Sequence, residues 1–204
     1  MVRVPPGRAG RMWLLRRLHT GRHAADLLDR KVRILRTEQR RCQERAAITG
    51  QRWRQAWARA DRWARRGAAL GGRRELRLAA VPEPARVSVA WVNVMGLRYP
   101  GEVHCHLPDP DTVRSPGTAA LVEAAAAYRD AVRAAAEHAA AEAACRQVAA
   151  ELATTRRRHR AIADRWVPEL EAALRRLTAE LDENERAETA RLRWASQHQQ
   201  SAPA

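Results

Sequence analysis

The 204-residue chain contains no phenylalanine and only two tyrosines. Bulky core residues are scarce, and a thick, many-layered globular core is hard to build from what remains. Its three cysteines, Cys42, Cys105 and Cys145, are odd in number and widely spaced. They form neither a disulfide framework nor a four-ligand zinc pattern. No apolar run reaches the ~18 residues of a membrane span. The Arg-studded start of the chain (Arg3, Arg8, Arg11, Arg16, Arg17) lacks the apolar stretch of a signal peptide. Phosphate-cradling glycine loops, nucleophile elbows and paired zinc motifs are also missing. These absences point to a soluble, cytoplasmic chain with no catalytic residues, no cofactor, no metal and no small-molecule substrate.

What the chain does have is Ala, Arg, Leu and Glu in helical order, the composition of a long helix or coiled coil. Of its 38 basic residues only Lys31 is a lysine, a bias that a GC-rich genome produces as readily as selection for guanidinium chemistry. Charge is unevenly placed. Residues 1–80 hold 22 Lys and Arg against 6 Asp and Glu, a net of +16, whereas the remainder holds 16 against 17, a net of −1. Such asymmetry fits either a nucleic-acid partner or an acidic protein socket.

Alternate steps of four and three from Leu14 pass through Leu18, Gly21, Ala25, Leu28, Val32, Leu35, Gln39, Cys42 and Ala46. They continue through Thr49, Trp53, Ala56, Ala60, Trp63 and Gly67 to Leu70. None is charged. A 3.5-residue seam held for about eight heptads specifies a left-handed coiled coil. A helix over residues 11–78 would be about 100 Å long. In the second half Val148, Leu152, His159, Ile162, Trp166, Leu170, Leu174, Leu177 and Leu181 continue a seam. Ser115 and Pro116 offer a helix cap and first turn for that half, and its Ala-rich residues 118–150 permit close approach. Pro168 falls inside the run and should kink or loosen it. The repeat also stutters there.

Between the helices, residues 79–117 form a break bounded by prolines. Val87, Val89 and Trp91 alternate with Ser88, Ala90 and Val92, and Val103, Cys105 and Leu107 alternate with His104 and His106. With Tyr99-Pro100-Gly101-Glu102 as the turn, this predicts a β-hairpin with strands near 86–97 and 102–107. The expected fold is mainly α: a long antiparallel two-helix coiled coil with a small mid-chain hairpin. Its parts are a first helix over 1–78, a head over 79–117, a second helix over 118–197 and a disordered tail over 198–204. The termini should meet at one end of a rod and the hairpin should sit at the other.

Three constellations invite chemistry. His104 and His106 share a strand face, but Cys105 points away and no further ligands lie nearby, so an exposed strand face is expected rather than a metal site. Trp53, Trp57 and Trp63 interleave with arginines, as stacking platforms for single strands do. Trp53 and Trp63 are seam positions, however, which favours core packing. Asp182, Glu183 and Glu185 with Arg186, Arg191 and Arg193 read as i, i+4 charge patterning.

Several separated pieces resemble one family, the D subunits of V-type/A-type rotary ATPases. VPPGRAGRMWLLRRLHTGRHAADLLDRK at residues 4–31 is similar to its opening, through Val4, Pro6, Arg8, Leu18, Leu27, Leu28 and Lys31. NVMG at residues 93–96 (Asn93, Val94, Met95, Gly96) resembles its mid-chain signature, with Pro100 close behind. Residues 166–194 resemble its last helix through Pro168, Leu170, Glu171, Leu181, Asp182, Glu183, Glu185, Arg186, Arg191 and Leu192. The chain departs from the family where Thr189 and Ala190 replace an aromatic pair and Ala24 replaces a glycine. The resemblance implies a non-catalytic rotor shaft, peripheral to the cell membrane, inside a hexamer of A and B subunits. Its further partners would be the F subunit, a membrane-side connecting subunit and a proteolipid ring. Rotation would couple ATP hydrolysis or synthesis to proton or sodium transport. The competing readings are a basic helical nucleic-acid-binding protein and a generic coiled-coil scaffold.

Overall fold

The computed structural model describes residues 4–78, 83–108 and 117–200. Helix α1 (Gly7–Leu78) is followed by strands β1 (Arg86–Val94) and β2 (Leu97–His106), then by helix α2 (Ala119–Arg160). A π-helical segment (Ala161–Trp166) leads into helix α3 (Val167–Gln200). The chain is thus mainly helical, with long helices packed together and one two-stranded antiparallel sheet in the middle, as the periodicity predicts. Residues divide into a terminal unit (Met1–Val32 with Thr154–Ala204) and a central unit (Arg33–Ala153).

In the terminal unit Leu14, Leu18 and Leu170 are buried, flanked by Trp13, Trp166, Leu174 and Leu177. Because Leu14 meets Leu170 while Gly10 faces Leu177, α1 and α3 run antiparallel. Gly21 lies under Trp166, where a Cβ would come within 2.9 Å of the indole ring. Absence of a side chain therefore lets the ring lie flat on α1. Arg17 extends over both Trp13 and Trp166, at 5.1 and 5.4 Å from the ring centres, a cation–π arrangement. Arg22 reaches Glu171 at 2.7 Å and Arg8 reaches Glu185 at 2.8 Å, tying α1 to α3.

Pro168 acts through the turn before it. Lacking an N–H, it cannot bond back to Asp164, and the helix responds by widening. The N–H of Val167 bonds to the carbonyl of Ile162, a π-type connection. The widened turn absorbs the stutter in the repeat, so the expected loosening is a six-residue π segment.

The central unit relies more on small residues, although Leu35, Leu121, Val148 and Leu152 are buried there as well. Ala60, Ala127 and Ala131 form one buried cluster, and Ala120, Ala124, Ala140, Ala141 and Ala144 are also buried. Glycines on α1 meet larger side chains of α2: Gly50 faces His138, and Gly67 faces Leu121. Thr49 donates to the carbonyl of Arg45 at 2.8 Å and lies 3.3 Å from His138 Nδ1, whose ring stacks on Trp53 at 5.6 Å. Trp53 and Trp63 are half-buried, as their seam positions predict, while Trp57 is exposed.

Every seam position on α1 from Leu14 to Gly67 is buried or half-buried. Leu70, the last, is 72% exposed. The reason is local: Gly72 adopts φ 69°, ψ −178°, and the helix kinks there. Helix α1 still reaches Leu78, where the sequence places its end, but with a kink at Gly72 that periodicity does not show. At the other boundary α2 starts at Ala119 with Thr118 as cap, its hydroxyl 3.4 Å from the N–H of Leu121. The cap expected at Ser115 and Pro116 lies outside the described residues. Helix α3 continues to Gln200, three residues into the segment expected to be a tail. Residues 201–204 also lie outside the description.

The hairpin departs most from expectation. Its turn is Met95-Gly96, with Val94 paired to Leu97, rather than Tyr99–Glu102. Both turn residues have positive φ, 52° at Met95 and 81° at Gly96, as a two-residue type I′ connection demands. Pro100 and Gly101 are instead inside β2, where the register jumps from Val89↔Val103 to Trp91↔Pro100. Two residues of β2, Gly101 and Glu102, thus oppose Ala90 alone, which makes a β-bulge. Proline gives the ladder no donor, and a Cβ at Gly101 would fall 2.6 Å from Val92 Cγ2. The turn-like dipeptide therefore bends a strand without ending it.

Candidate interaction site at the hairpin

The hairpin lies on the flank of the helices, not beyond their ends. Tyr99, Cys42, Ala144 and Val148 form a buried cluster, and Val94, Leu97 and Cys145 pack against it. That cluster is 25 residues, about 40 Å, back along α1 from the contact between Gly67 and Leu121. The expectation that the hairpin marks the far end of the helices is therefore corrected. An isolated hairpin is marginal in water, and this one folds back because Val94, Leu97 and Tyr99 find an apolar floor on α1 and α2. Farther along, Arg129 donates to the carbonyl of Pro108 at 2.6 Å, fastening the exit from β2 to α2.

One polar contact fixes the dock. The Tyr99 hydroxyl donates to Glu38 Oε1 at 2.6 Å, and Arg41 donates to Oε2 of the same carboxylate at 3.4 Å. Burial, then the hydrogen bond and charge of Glu38, push the Tyr99 phenol well above its ordinary range. Burial also lifts the Cys42 thiol to about 11, with smaller contributions from Cys145 and Glu38. The Cys145 thiol is raised chiefly by burial. These groups stay neutral at physiological pH and offer no activated nucleophile.

Beside the dock is an open cleft of about 790 Å³ between the hairpin and the helices. Arg41, Arg45 and Arg52 line its α1 side, and Glu102 and His104 line its hairpin side. Ile48 and Val92 expose apolar surface into it. Among the described residues, no three His, Cys, Asp or Glu side chains are grouped to hold a metal. His104 and His106 are exposed on one strand face and Cys105 is half-buried.

The residues singled out from the sequence fall in both units. In the terminal unit Leu170 is core, Leu28 and Leu181 are half-buried, and Lys31 is half-buried on α1. Pro6, Arg8, Leu27, Pro168, Asp182, Glu185, Arg186, Arg191 and Leu192 are exposed. Two of these are brought together, Arg8 with Glu185, while Arg186 reaches Glu183 at 3.7 Å. In the central unit Asn93, Met95 and Gly96 are exposed at the hairpin tip, and Val94 packs inward. Sequence reasoning missed the Tyr99–Glu38 bond and the Thr49–His138–Trp53 group. Thr49 carried a faint signal as a hydroxyl on an otherwise mostly apolar seam. Glu38, beside the seam residue Gln39, carried none.

Long packed helices with one small antiparallel sheet docked on them define the class, a mainly helical protein. The comparison with family models then specifies which. Residues 12–197 match the model for the ATP synthase D subunit, and the chain belongs to that family. It is therefore a rotary ATPase subunit. Pro6 and Arg8 precede the matched span. No curated protein matches the chain. Among the described residues no helix is long and apolar enough to cross a membrane.

Proposed function

We propose that this chain is the central-stalk rotor subunit of a V/A-type rotary ATPase. It carries no catalytic site of its own. It couples ATP hydrolysis or synthesis in the hexamer of A and B subunits to proton or sodium transport. The single observation that carries this reading, beyond family membership, is the pairing of two long antiparallel helices of unequal charge. A turning shaft must resist twist, and it must present different surfaces to identical catalytic interfaces. Paired helices supply the first property, and a first helix far more basic than the second supplies the other.

The exposed end of α3 fits the hexamer. Residues 182–196 are all exposed, with Leu192 and Trp194 at 67% and 63%. In this reading Asp182, Arg186, Arg191 and Leu192 meet the A and B subunits, and the basic residues of α1 face acidic or carbonyl-rich loops there. The F subunit and the membrane-side connecting subunit that leads to the proteolipid ring take other faces of the helices. The complex is peripheral to the membrane on its cytoplasmic side.

The test is a pull-down of the intact complex under ATP. Co-purification with A and B subunits is expected, and neutral substitutions at Arg11, Arg16 and Arg17 should weaken assembly and flatten its salt dependence. Assembly unaffected by those substitutions would remove the electrostatic part of the reading. Tight duplex binding at physiological salt, without A and B subunits, would favour the nucleic-acid alternative instead.

A further inference from the structure

We propose that Cys42 and Cys145 form an oxidation site, closing into a disulfide that joins α1 to α2 beneath the hairpin. Cys42 is a seam residue of α1 and is 6% exposed. Cys145 of α2 is half-buried and packs against the same cluster. Both thiols thus lie in one packed cluster at the contact between α1 and α2. The neighbouring α2 residues at the contact, Ala141 and Ala144, are small and buried. Cys105, the third thiol, sits elsewhere, on β2 opposite Val87. All three are free thiols. The inference is independent of the rotor reading, since it concerns two residues within the central unit.

The oxidant is a peroxide. Cys145, the more exposed partner, loses its proton to water, and the thiolate attacks one oxygen of hydrogen peroxide. The O–O bond breaks, hydroxide leaves, and Cys145 becomes a sulfenic acid. The Cys42 thiolate then attacks the sulfenic sulfur. An S–S bond forms, the S–O bond breaks, and the departing hydroxide takes up the proton that Cys42 has released. Two thiols and one peroxide yield one disulfide and two waters. Burial keeps both thiols protonated, so the reaction is slow at neutral pH. Its rate rises about tenfold per pH unit toward pH 9 as thiolate accumulates.

The bond would change what the hairpin rests on. Val94 and Leu97 pack on the cluster that contains Cys42, and Tyr99 is held one turn earlier on α1 by Glu38. A covalent link between α1 and α2 at this level restrains both the floor of the dock and the sliding of one helix past the other. It also closes a long loop in the unfolded chain, the condition under which a cross-link stabilises most.

The experiment treats the reduced full-length chain with hydrogen peroxide, alkylates it, and measures intact mass and peptides. The expected product carries one alkyl group per chain, at Cys105, in place of three. It also gives a peptide linking Cys42 to Cys145, and its Tm rises relative to the reduced chain. Cys105→Ser should keep the cross-link. Cys145→Ser should abolish it and leave the Tm unresponsive to oxidant. The proposal is overturned if Cys42 and Cys145 alkylate as in the reduced control. It is equally overturned if they end as sulfinic or sulfonic acids without a link, or if the link uses Cys105.

Discussion

The terminal and central units weight large and small side chains differently in the same packing problem. In the terminal unit leucines and tryptophans from α1, the π-helical segment and α3 fill the space between the helices, and Gly10 and Gly21 give way to a neighbour. In the central unit alanines make up most of the buried contact, with Leu35, Leu121, Val148 and Leu152 as its larger buried members, and Thr49 lies 3.3 Å from His138 Nδ1. Large side chains bury more apolar area per residue. Small ones leave a flat flank on which a third element can lie. The hairpin uses that flank: Tyr99 reaches Glu38 because the floor below it, Ala144 and Val148 beside Cys42, is low. The difference teaches that one seam can be tuned for grip in one region and for a docking surface in another.

The sharpest way to break this comparison is to exchange the two strategies. Leu170→Ala deletes a side chain that is 1% exposed and should destabilise the chain by about 2–5 kcal/mol through the cavity it leaves. Ala127→Leu adds volume where Ala127 is 1% exposed and should cost about 1–3 kcal/mol through overpacking. Urea unfolding monitored by circular dichroism measures both. If Ala127→Leu were neutral, the central contact would be loose rather than close.

A smaller effect is expected at the hairpin dock. Tyr99→Phe removes the bond to the half-buried Glu38 carboxylate and should cost about 1.5 kcal/mol. The dock should also weaken in alkali. Both Tyr99 and Cys42 have folded-state pKa values raised above their ordinary ones. Their contribution is therefore complete below pH 9 and is lost as pH climbs through the folded values. For Cys42 that window runs from 9.0 to about 11. Stability measured across pH 8–11 should fall, and Cys42→Ser should remove part of the slope. A flat profile would mean that these groups are not protected by the dock.

The heptad seam was legible because its rule is local. Each uncharged position is read against neighbours three and four residues away, and the structure buries or half-buries all of them as far as Gly67. The hairpin was legible as a hairpin through strand alternation, but its turn was misplaced. Pro-Gly is common turn vocabulary, whereas Met95-Gly96 carries only half of the usual type I′ signal, a glycine without Asn or Asp before it. Where the hairpin docks could not be read at all. It depends on Tyr99 finding Glu38, 61 positions away, and no periodic rule links the two. The Gly72 kink was equally hidden, since a glycine inside a helical pattern is more often tolerated than broken.

The smallest effect belongs to the surface. Arg8 and Glu185 form a short ion pair, but both side chains are more than half exposed. Solvent screens such pairs, so Arg8→Gln should leave the unfolding midpoint unchanged within error. Shortening residues 87–106 probes function instead. The helices are expected to remain folded while ATPase rate or coupling changes. Unaltered activity and coupling would make the hairpin a connector only.

The most direct test of the rotor account is ATP-driven ion uptake into vesicles bearing the complex, assembled with and without this chain. A and B subunits without it should still bind and hydrolyse ATP but drive no ion uptake, and adding the chain should restore transport. Equal uptake in its absence would contradict the account.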